Sequence, residues 1–145
     1  MRDRACTMVV AAFCVICVAP VTYWASDREP PFVRGTGYII PQAVSPEGEF
    51  EVHWEGKRVK DCGGVVHRFI RDSKGDLWAL PSSTVRYSKI TENGVPLNSA
   101  KIPRGIACGP AEYVADALHV CNITHRIWPI RVNTPTIKFT IACGE

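Results

Sequence analysis

The hydropathy pattern begins with an apolar run that carries no charged side chain from Ala5 to Ala25. As an α-helix, the stretch from Ala5 to Trp24 would be about 30 Å long, because each residue adds about 1.5 Å. That length matches the hydrocarbon core of a bilayer, where a single span must satisfy its backbone hydrogen bonds as a helix. The pattern therefore predicts a transmembrane anchor over residues 1–25, with the lipid bilayer as its partner.

The residues at the two ends of this run predict its orientation. Arg2 and Arg4 precede it, and Tyr23 and Trp24 lie at its exit. Basic residues stay on the cytoplasmic side and aromatic residues favour the headgroup boundary, so the remaining chain is predicted to be periplasmic or extracellular. The alternative is a cleaved signal peptide, which needs small residues just before the cut. Cuts after Ala25 or Ser26 place Tyr23 or Trp24 there, which favours an uncleaved anchor.

Beyond the anchor, the pattern changes to short strands. Residues 26–37 are rich in proline and glycine and are predicted to be a stiff linker, followed by one domain over residues 38–145. The clearest strand covers residues 49–55, because polar residues alternate there with an apolar set on one face. That set is Phe50, Val52 and Trp54.

Turn signals separate further strands. Residues 65–71 and 76–80 flank a turn that starts with Asp72 and ends with Gly75, which predicts a β-hairpin. The alternation in residues 111–121 predicts a strand with one buried face, formed by Tyr113, Ala115, Ala117, His119 and Cys121. Residues 81–83 are predicted to end the hairpin strand at 76–80, and a turn is predicted at 108–110. Other strands are predicted at 38–41, 84–90, 100–102, 130–132 and 136–143.

Seven or eight short strands without an amphipathic helix predict an antiparallel β-sandwich. The segment Gly109-Pro110-Ala111-Glu112-Tyr113-Val114-Ala115 resembles the tyrosine-corner segment of immunoglobulin-like domains, with Tyr113 in the corner role. The resemblance implies an all-β, immunoglobulin-like sandwich. Ala115 stands where such a domain has its second core cysteine, and Trp54 precedes the first cysteine of this domain. No function is carried over from the resemblance.

Four of the seven cysteines lie beyond the anchor: Cys62, Cys108, Cys121 and Cys143. In an oxidising compartment an even set of four predicts two disulfides, with three possible pairings. Four buried free thiols are the alternative. Cys14 and Cys17 have the spacing of a redox motif, but they lie in the apolar run, where a thiolate is not stabilised.

Charge and motif content argue against several function classes. Removing Arg2, Arg4 and Asp3 from the totals of 17 basic and 14 acidic residues leaves 15 against 13, too balanced to imply nucleic acid or an anionic partner. No Gly-x-Ser-x-Gly elbow, phosphate-binding glycine loop or regular Cys/His ligand set occurs. Cys121 and His125 have the spacing of a zinc pair but lack a second pair. We therefore predict no catalytic residue, metal or cofactor.

Placement and absent chemistry together predict a protein-interaction or assembly accessory module held at a membrane. Its partner-contact surfaces are predicted at residues 57–60, 91–96 and 122–129, which include the glycosylation sequon at Asn122. The alternatives are a small cell-envelope enzyme (a hydrolase or thiol-disulfide protein) and a sugar- or metal-binding module. The candidate contact residues are Lys57, Arg58, Lys60, Asn93, His125, Arg126 and Trp128.

Overall fold

A computed structural model of the chain describes residues 2–86 and 98–144. Helix α1 (Arg2–Ser26) comes first, and a short 3-10 turn (Thr124–Arg126) lies near the end. The rest of the described chain is mostly β-structure, as the alternating patterns predict. Its strands are β1 (Phe32–Ile40), β2 (Ala43–Val44), β3 (Glu49–Arg58), β4 (Gly63–Arg71), β5 (Leu77–Arg86), β6 (Asn98–Lys101), β7 (Gly109–Val120), β8 (Ile130–Asn133) and β9 (Ile137–Ile141).

The strands form two sheets that pack against each other. The small sheet has the order β1-β3-β6, and the large sheet has the order β2-β9-β7-β4-β5, with β8 also paired to β7. All neighbours are antiparallel except β2 and β9, which are parallel. The core lies between the sheets, where Phe50 of β3 contacts the rings of Tyr113 and Phe139.

The predicted buried faces are confirmed in β3 and β7. Phe50, Val52 and Trp54 are buried on β3. On β7 the burial alternates along the strand, with Ala111, Tyr113, Ala115, Ala117 and His119 inside. Cys121, predicted on the same face, lies beyond the end of β7 and is only partly buried. Period-two alternation is a local property of the chain, so these faces follow from the sequence alone.

Strand β1 begins inside the segment predicted as a linker. Pro31 and Phe32 are buried, and Phe32 pairs with Arg58 at the end of β3. The prolines of this segment therefore precede the strand, and its glycines lie within it. Burial of the apolar Phe32 side chain favours the strand over an exposed linker. Beyond Ile40, whose peptide bond to Pro41 is cis, the chain crosses to the large sheet as β2.

The predicted break at residues 81–83 is wrong, because β5 runs through Pro81 without interruption. Strand β5 lies at the end of the described order of the large sheet, and Pro81 sits at a register shift in its ladder with β4. An edge position with a bulge tolerates proline, which has no N–H to donate. The turn predicted at 108–110 is also wrong, since Gly109 and Pro110 begin β7.

Two disulfides close the domain and select one of the three possible pairings. Cys62 bonds Cys121, with their Cα atoms 4.7 Å apart, and Cys108 bonds Cys143, with Cα atoms 5.8 Å apart. The alternative of four free thiols is therefore wrong. Cys14 and Cys17 of α1 are free and exposed.

Helix α1 exposes its side chains to the surroundings along most of its length. All residues from Ala11 to Trp24 are exposed, including Phe13 and Ile16 at 67% and 69%. In the described part of the chain, no helix combines the length and the apolar character needed to cross a membrane.

Candidate functional site

The antiparallel strands give the domain two distinct ends. The α1 end, where the helix meets the domain, carries the Cys62–Cys121 disulfide and the 122–129 loop. The far end carries the Cys108–Cys143 disulfide and the β4–β5 hairpin turn at residues 72–75. Two of the three predicted contact surfaces, 57–60 and 122–129, lie at the α1 end. The third, 91–96 with Asn93, falls outside the described residues.

The last turn of α1 and the residues after it are hydrogen-bonded to the 122–129 loop. Asn122 Nδ2 donates to the carbonyl oxygen of Trp24 at 3.1 Å. Arg28 donates to the carbonyl oxygens of Trp128 and Pro129 at 2.7 and 2.9 Å. Its guanidinium also lies 4.3 Å from the centre of the Trp128 ring, a cation–π arrangement. The helix is therefore tied to the domain at several points.

Lys60 forms a second tie between the helix exit and the domain. Its ammonium donates a hydrogen bond to Asp27 and lies 3.3 Å from a carboxylate oxygen of Glu29. The bond from Lys60 lowers the pKa of Asp27, and the same bond raises the pKa of Lys60. Lys60, predicted as a partner contact, is thus held by the chain's own carboxylates.

The other predicted contact residues divide between surface and interior. Arg126 and Trp128 are exposed, and Lys57 is exposed on β3. Arg58 pairs with Phe32 in the β1–β3 ladder. His125, also predicted as a partner contact, is fully buried. Its Nδ1 accepts the Cys121 N–H at 3.3 Å, which fixes the ring under the loop.

The metal alternative gains no support from the described residues. Cys121 is engaged in a disulfide and cannot act as a thiolate ligand. No group of three or more His, Cys, Asp or Glu side chains in the described ranges is placed to hold a metal ion.

The hydrolase alternative has one pair of the right chemistry. His67 Nδ1 lies 3.1 Å from Ser82 Oγ, across the outer face of β4 and β5. A nucleophile and base need a third group to orient the base. Asp116 stands opposite His67 in the β4–β7 ladder, but its carboxylate lies 3.3 Å from the Arg131 guanidinium. The pair therefore lies on an open sheet face, and the carboxylate opposite His67, that of Asp116, is paired with Arg131.

A groove of about 530 Å³ lies at the far end. Strands β4, β7 and β9 and the hairpin turn provide its walls. Arg71 and Glu112 form an ion pair at 3.3 Å, and Lys138 is the ladder neighbour of Glu112 on β9. Lys74 in the hairpin turn adds a third cation. The rim therefore carries three cations against one partly exposed carboxylate, that of Glu112, which is paired with Arg71.

Asp72 forms the floor of this groove and is buried. One carboxylate oxygen accepts the N–H groups of Lys74 and Asp76 at 2.9 and 3.0 Å. The other accepts from Trp78 Nε1 at 2.9 Å and from the Ala107 N–H at 3.2 Å. Burial raises the pKa of Asp72, but these four hydrogen bonds outweigh it and hold the pKa below its ordinary value.

Sequence reasoning missed this groove because its walls come from three strands that are distant in the chain. The turn signal at residues 72–75 indicated the hairpin. Nothing local indicated that Glu112 and Lys138 lie beside Arg71.

Comparisons with known proteins add little to this geometry. No protein-family model matches the sequence, and no curated protein matches it. One similar solved structure is the Pseudomonas fluorescens alkylpurine DNA glycosylase AlkC bound to DNA containing an abasic site analog. The match has a TM-score of 0.46 and 10% sequence identity, and it covers 85% of this chain and 33% of that chain. The chain thus spans about a third of the length of that protein.

Proposed function

We propose that this protein is a membrane-anchored interaction module whose domain lies on the non-cytoplasmic side. In this proposal α1 holds the chain in the bilayer, and the groove at the far end binds an acidic segment of a partner protein. The single observation that carries the proposal is the exposed apolar helix, tied to the end opposite the groove.

The exposed surface of α1 supports the anchor. Over residues 11–24 exposed and mainly apolar side chains face all sides of the helix, with Phe13, Val15, Ile16 and Val18 each more than half exposed. A helix that is apolar all round belongs in a protein interior or a bilayer. The hydrogen bond from Asn122 joins the domain to the C-terminal end of α1, at Trp24, and the bilayer would cover the exposed side chains before it.

The two disulfides support the compartment. Disulfides persist in oxidising surroundings and are rare in the reducing cytosol. Because α1 precedes both disulfides, a chain with a cytoplasmic N-terminus delivers Cys62 through Cys143 to the oxidising side of the membrane.

The strand order supports an immunoglobulin-like sandwich. In such domains, strands A, B and E form one sheet, and strands G, F and C, extended by C′, form the other. The small sheet β1-β3-β6 matches the first set, and β9-β7-β4-β5 matches the second. Tyr113 lies on β7, the counterpart of strand F, which is where the tyrosine corner belongs.

The charge of the groove supports an acidic protein segment as its occupant. Arg71, Lys74 and Lys138 surround it, while Asp72 directs its carboxylate at its own hydrogen-bond donors. Complementary charge directs the encounter with an acidic partner and disfavours a basic one. Because the groove lies opposite α1, it points away from the bilayer.

Photo-crosslinking in the native membrane tests the proposal. A photoreactive phenylalanine analogue replaces Lys74 or Lys138 at the groove, and Glu55 on the small sheet as the control. We expect an adduct to one discrete protein at both groove positions. The adduct from position 74 should be lost when Arg71 and Lys138 are changed to Glu, and the adduct from position 138 when Arg71 and Lys74 are changed to Glu. Equal adducts at all three positions, or none at the groove, contradict the partner.

The anchor is tested separately by alkaline extraction and protease protection of the same membranes. We expect the chain to resist extraction and the domain to be digested only from the non-cytoplasmic side. Release into the alkaline supernatant contradicts the anchor, whatever the crosslinking shows.

A further inference from the structure

We propose that the 122–129 loop is a second membrane contact, so that the domain is seated on the bilayer at its α1 end. This inference rests on the proposed insertion of α1 and adds a lipid-binding surface on the domain itself.

The position of the loop is the first step. Through the bonds from Asn122 and Arg28 described above, the loop lies beside the exit of α1, at the level of Trp24. Tyr23 and Trp24 are 73% and 41% exposed there, as aromatic side chains at a headgroup boundary are. If α1 is inserted to this depth, the loop meets the same boundary.

The apolar side chains of the loop are the second step. Ile127 is 92% exposed, and Ile123 and Trp128 are each 63% exposed. Burying such side chains is favourable in proportion to the apolar area that is removed from water. These residues occupy a short segment at the α1 end, rather than being scattered singly over the domain surface.

The loop presents these side chains in a fixed arrangement. Asn122 Oδ1 accepts hydrogen bonds from the Thr124 N–H, the Thr124 hydroxyl and the His125 N–H at 3.0, 2.7 and 3.2 Å. Buried His125 lies beneath them, and the Cys62–Cys121 disulfide ends just before them. The exposed isoleucines therefore belong to a loop that internal hydrogen bonds hold in one conformation. Their exposure is a feature of that conformation.

The positive charges beside the loop favour a lipid as the molecule that contacts it. Exposed Arg126 lies between buried His125 and exposed Ile127, and it borders an open cavity of about 350 Å³ that Val120 and Ile123 also line. An open cavity of mixed polarity with a cation at its rim suits an anionic lipid headgroup beside the exposed apolar side chains of the loop. The Arg28 guanidinium over Trp128 adds a second cation at the same level.

Paramagnetic lipids test the inference on the full chain in nanodiscs. The isoleucine and valine methyl groups are labelled, and a nitroxide is attached to the phosphatidylcholine headgroup. We expect the nitroxide to abolish the methyl signals of Ile127 and of Val21 in α1. Ile40, an isoleucine that is 49% exposed at the far end, serves as the matched control and keeps its signal.

The outcomes separate the two proposals. If Val21 loses its signal and Ile127 keeps it, α1 is inserted and the loop contact is overturned. If Val21 also keeps its signal, the anchor itself fails, and the loop contact fails with it. Equal losses of the methyl signals at Ile127 and Ile40 contradict a specific contact between the α1 end of the domain and the bilayer.

Two variants connect the effect to the named side chains. Ile127→Ser is expected to weaken the loss at Ile123, whereas Ile40→Ser leaves that loss unchanged. Adding phosphatidylserine is expected to increase the loss at Ile127, and Arg126→Glu is expected to remove this increase. An increase that persists in Arg126→Glu contradicts the role of this arginine.

Discussion

Asp72 shows how one residue serves both the fold and the groove. Its two carboxylate oxygens accept four N–H groups, from the hairpin turn, from Trp78 and from Ala107 in the segment before β7. Gly75, with φ of +90°, lets the chain reverse so that two of these donors converge. The residue therefore connects the β4–β5 hairpin to the segment preceding β7.

We predict that Asp72 makes stability depend on pH in acid. Because its folded pKa lies below 3.8, its ionised form stabilises the fold above that pH, and this contribution is lost as the pH falls through the folded pKa. Asp72→Asn should lower the urea midpoint at neutral pH and flatten its acid dependence. Tryptophan fluorescence of the full chain in detergent measures both. Exposed Asp76→Asn is the control, and unchanged acid dependence in Asp72→Asn contradicts the assignment.

Arg68 is a buried residue whose position the local pattern did not decide. The β4 segment holds apolar residues on both faces, and Arg68 shares the inner face with Val66 and Ile70. Its guanidinium donates to the carbonyl oxygens of Pro81 and Ser99, so it joins β5 to β6 of the opposite sheet. A buried guanidinium is tolerated because these carbonyl groups accept its hydrogen bonds.

At the scale of elements, the pairing of β1 with β3 depends on a close approach at Gly37. The ladder shifts register between Arg34 and Gly37, and Gly37 pairs with Trp54. A Cβ atom at Gly37 would lie 2.6 Å from the Trp54 ring and 2.7 Å from Ile137 of the large sheet. Because Gly37 has no side chain, the Trp54 ring and Ile137 can occupy the space beside it in the core.

We predict that Gly37→Ala destabilises the domain by about 1–3 kcal/mol, the usual effect of overpacking. Gly63→Ala is the matched control, because its Cβ would make only an ordinary contact, at 3.5 Å from a backbone oxygen. Urea unfolding of both variants checks the difference. Equal stability of the two variants contradicts the close packing at Gly37.

At the scale of the whole molecule, the two ends have different roles in the proposed function. Hydrogen bonds of Trp24, Arg28, Asn122 and Lys60 hold the 122–129 loop beside the exit of α1, while the groove lies at the other end. A domain seated on the bilayer in this way presents its groove to partners in a fixed direction. In this proposal the partner binds at the groove, and the sequence-based expectation that 57–60 and 122–129 contact a partner stays a prediction.

We predict that the Cys62–Cys121 disulfide stabilises the α1 end in particular. Replacing both cysteines with serine should reduce the free energy of unfolding by about 2–4 kcal/mol. Amide exchange should rise most in the 122–129 loop, with the groove less affected. Cys14→Ser with Cys17→Ser is the control, since both thiols are free and exposed. Uniformly raised exchange across the domain contradicts a local role.

The sequence by itself determined the features that depend on near neighbours in the chain. Alternation specified the buried faces of β3 and β7, and Asp72 with Gly75 specified the hairpin turn. Each of these depends on residues only a few positions apart, where backbone geometry dictates which side chains share a face. The count of four cysteines likewise predicted two disulfides.

Only the tertiary structure decided which distant residues meet. It selected the Cys62–Cys121 and Cys108–Cys143 pairs, buried His125 and assembled the groove from β4, β7 and β9. Strand order and register determine these contacts, and they arise from the packing of two whole sheets. No local periodicity in the sequence specifies which strands become neighbours. The difference between the two ends of the molecule is therefore seen only in the folded chain.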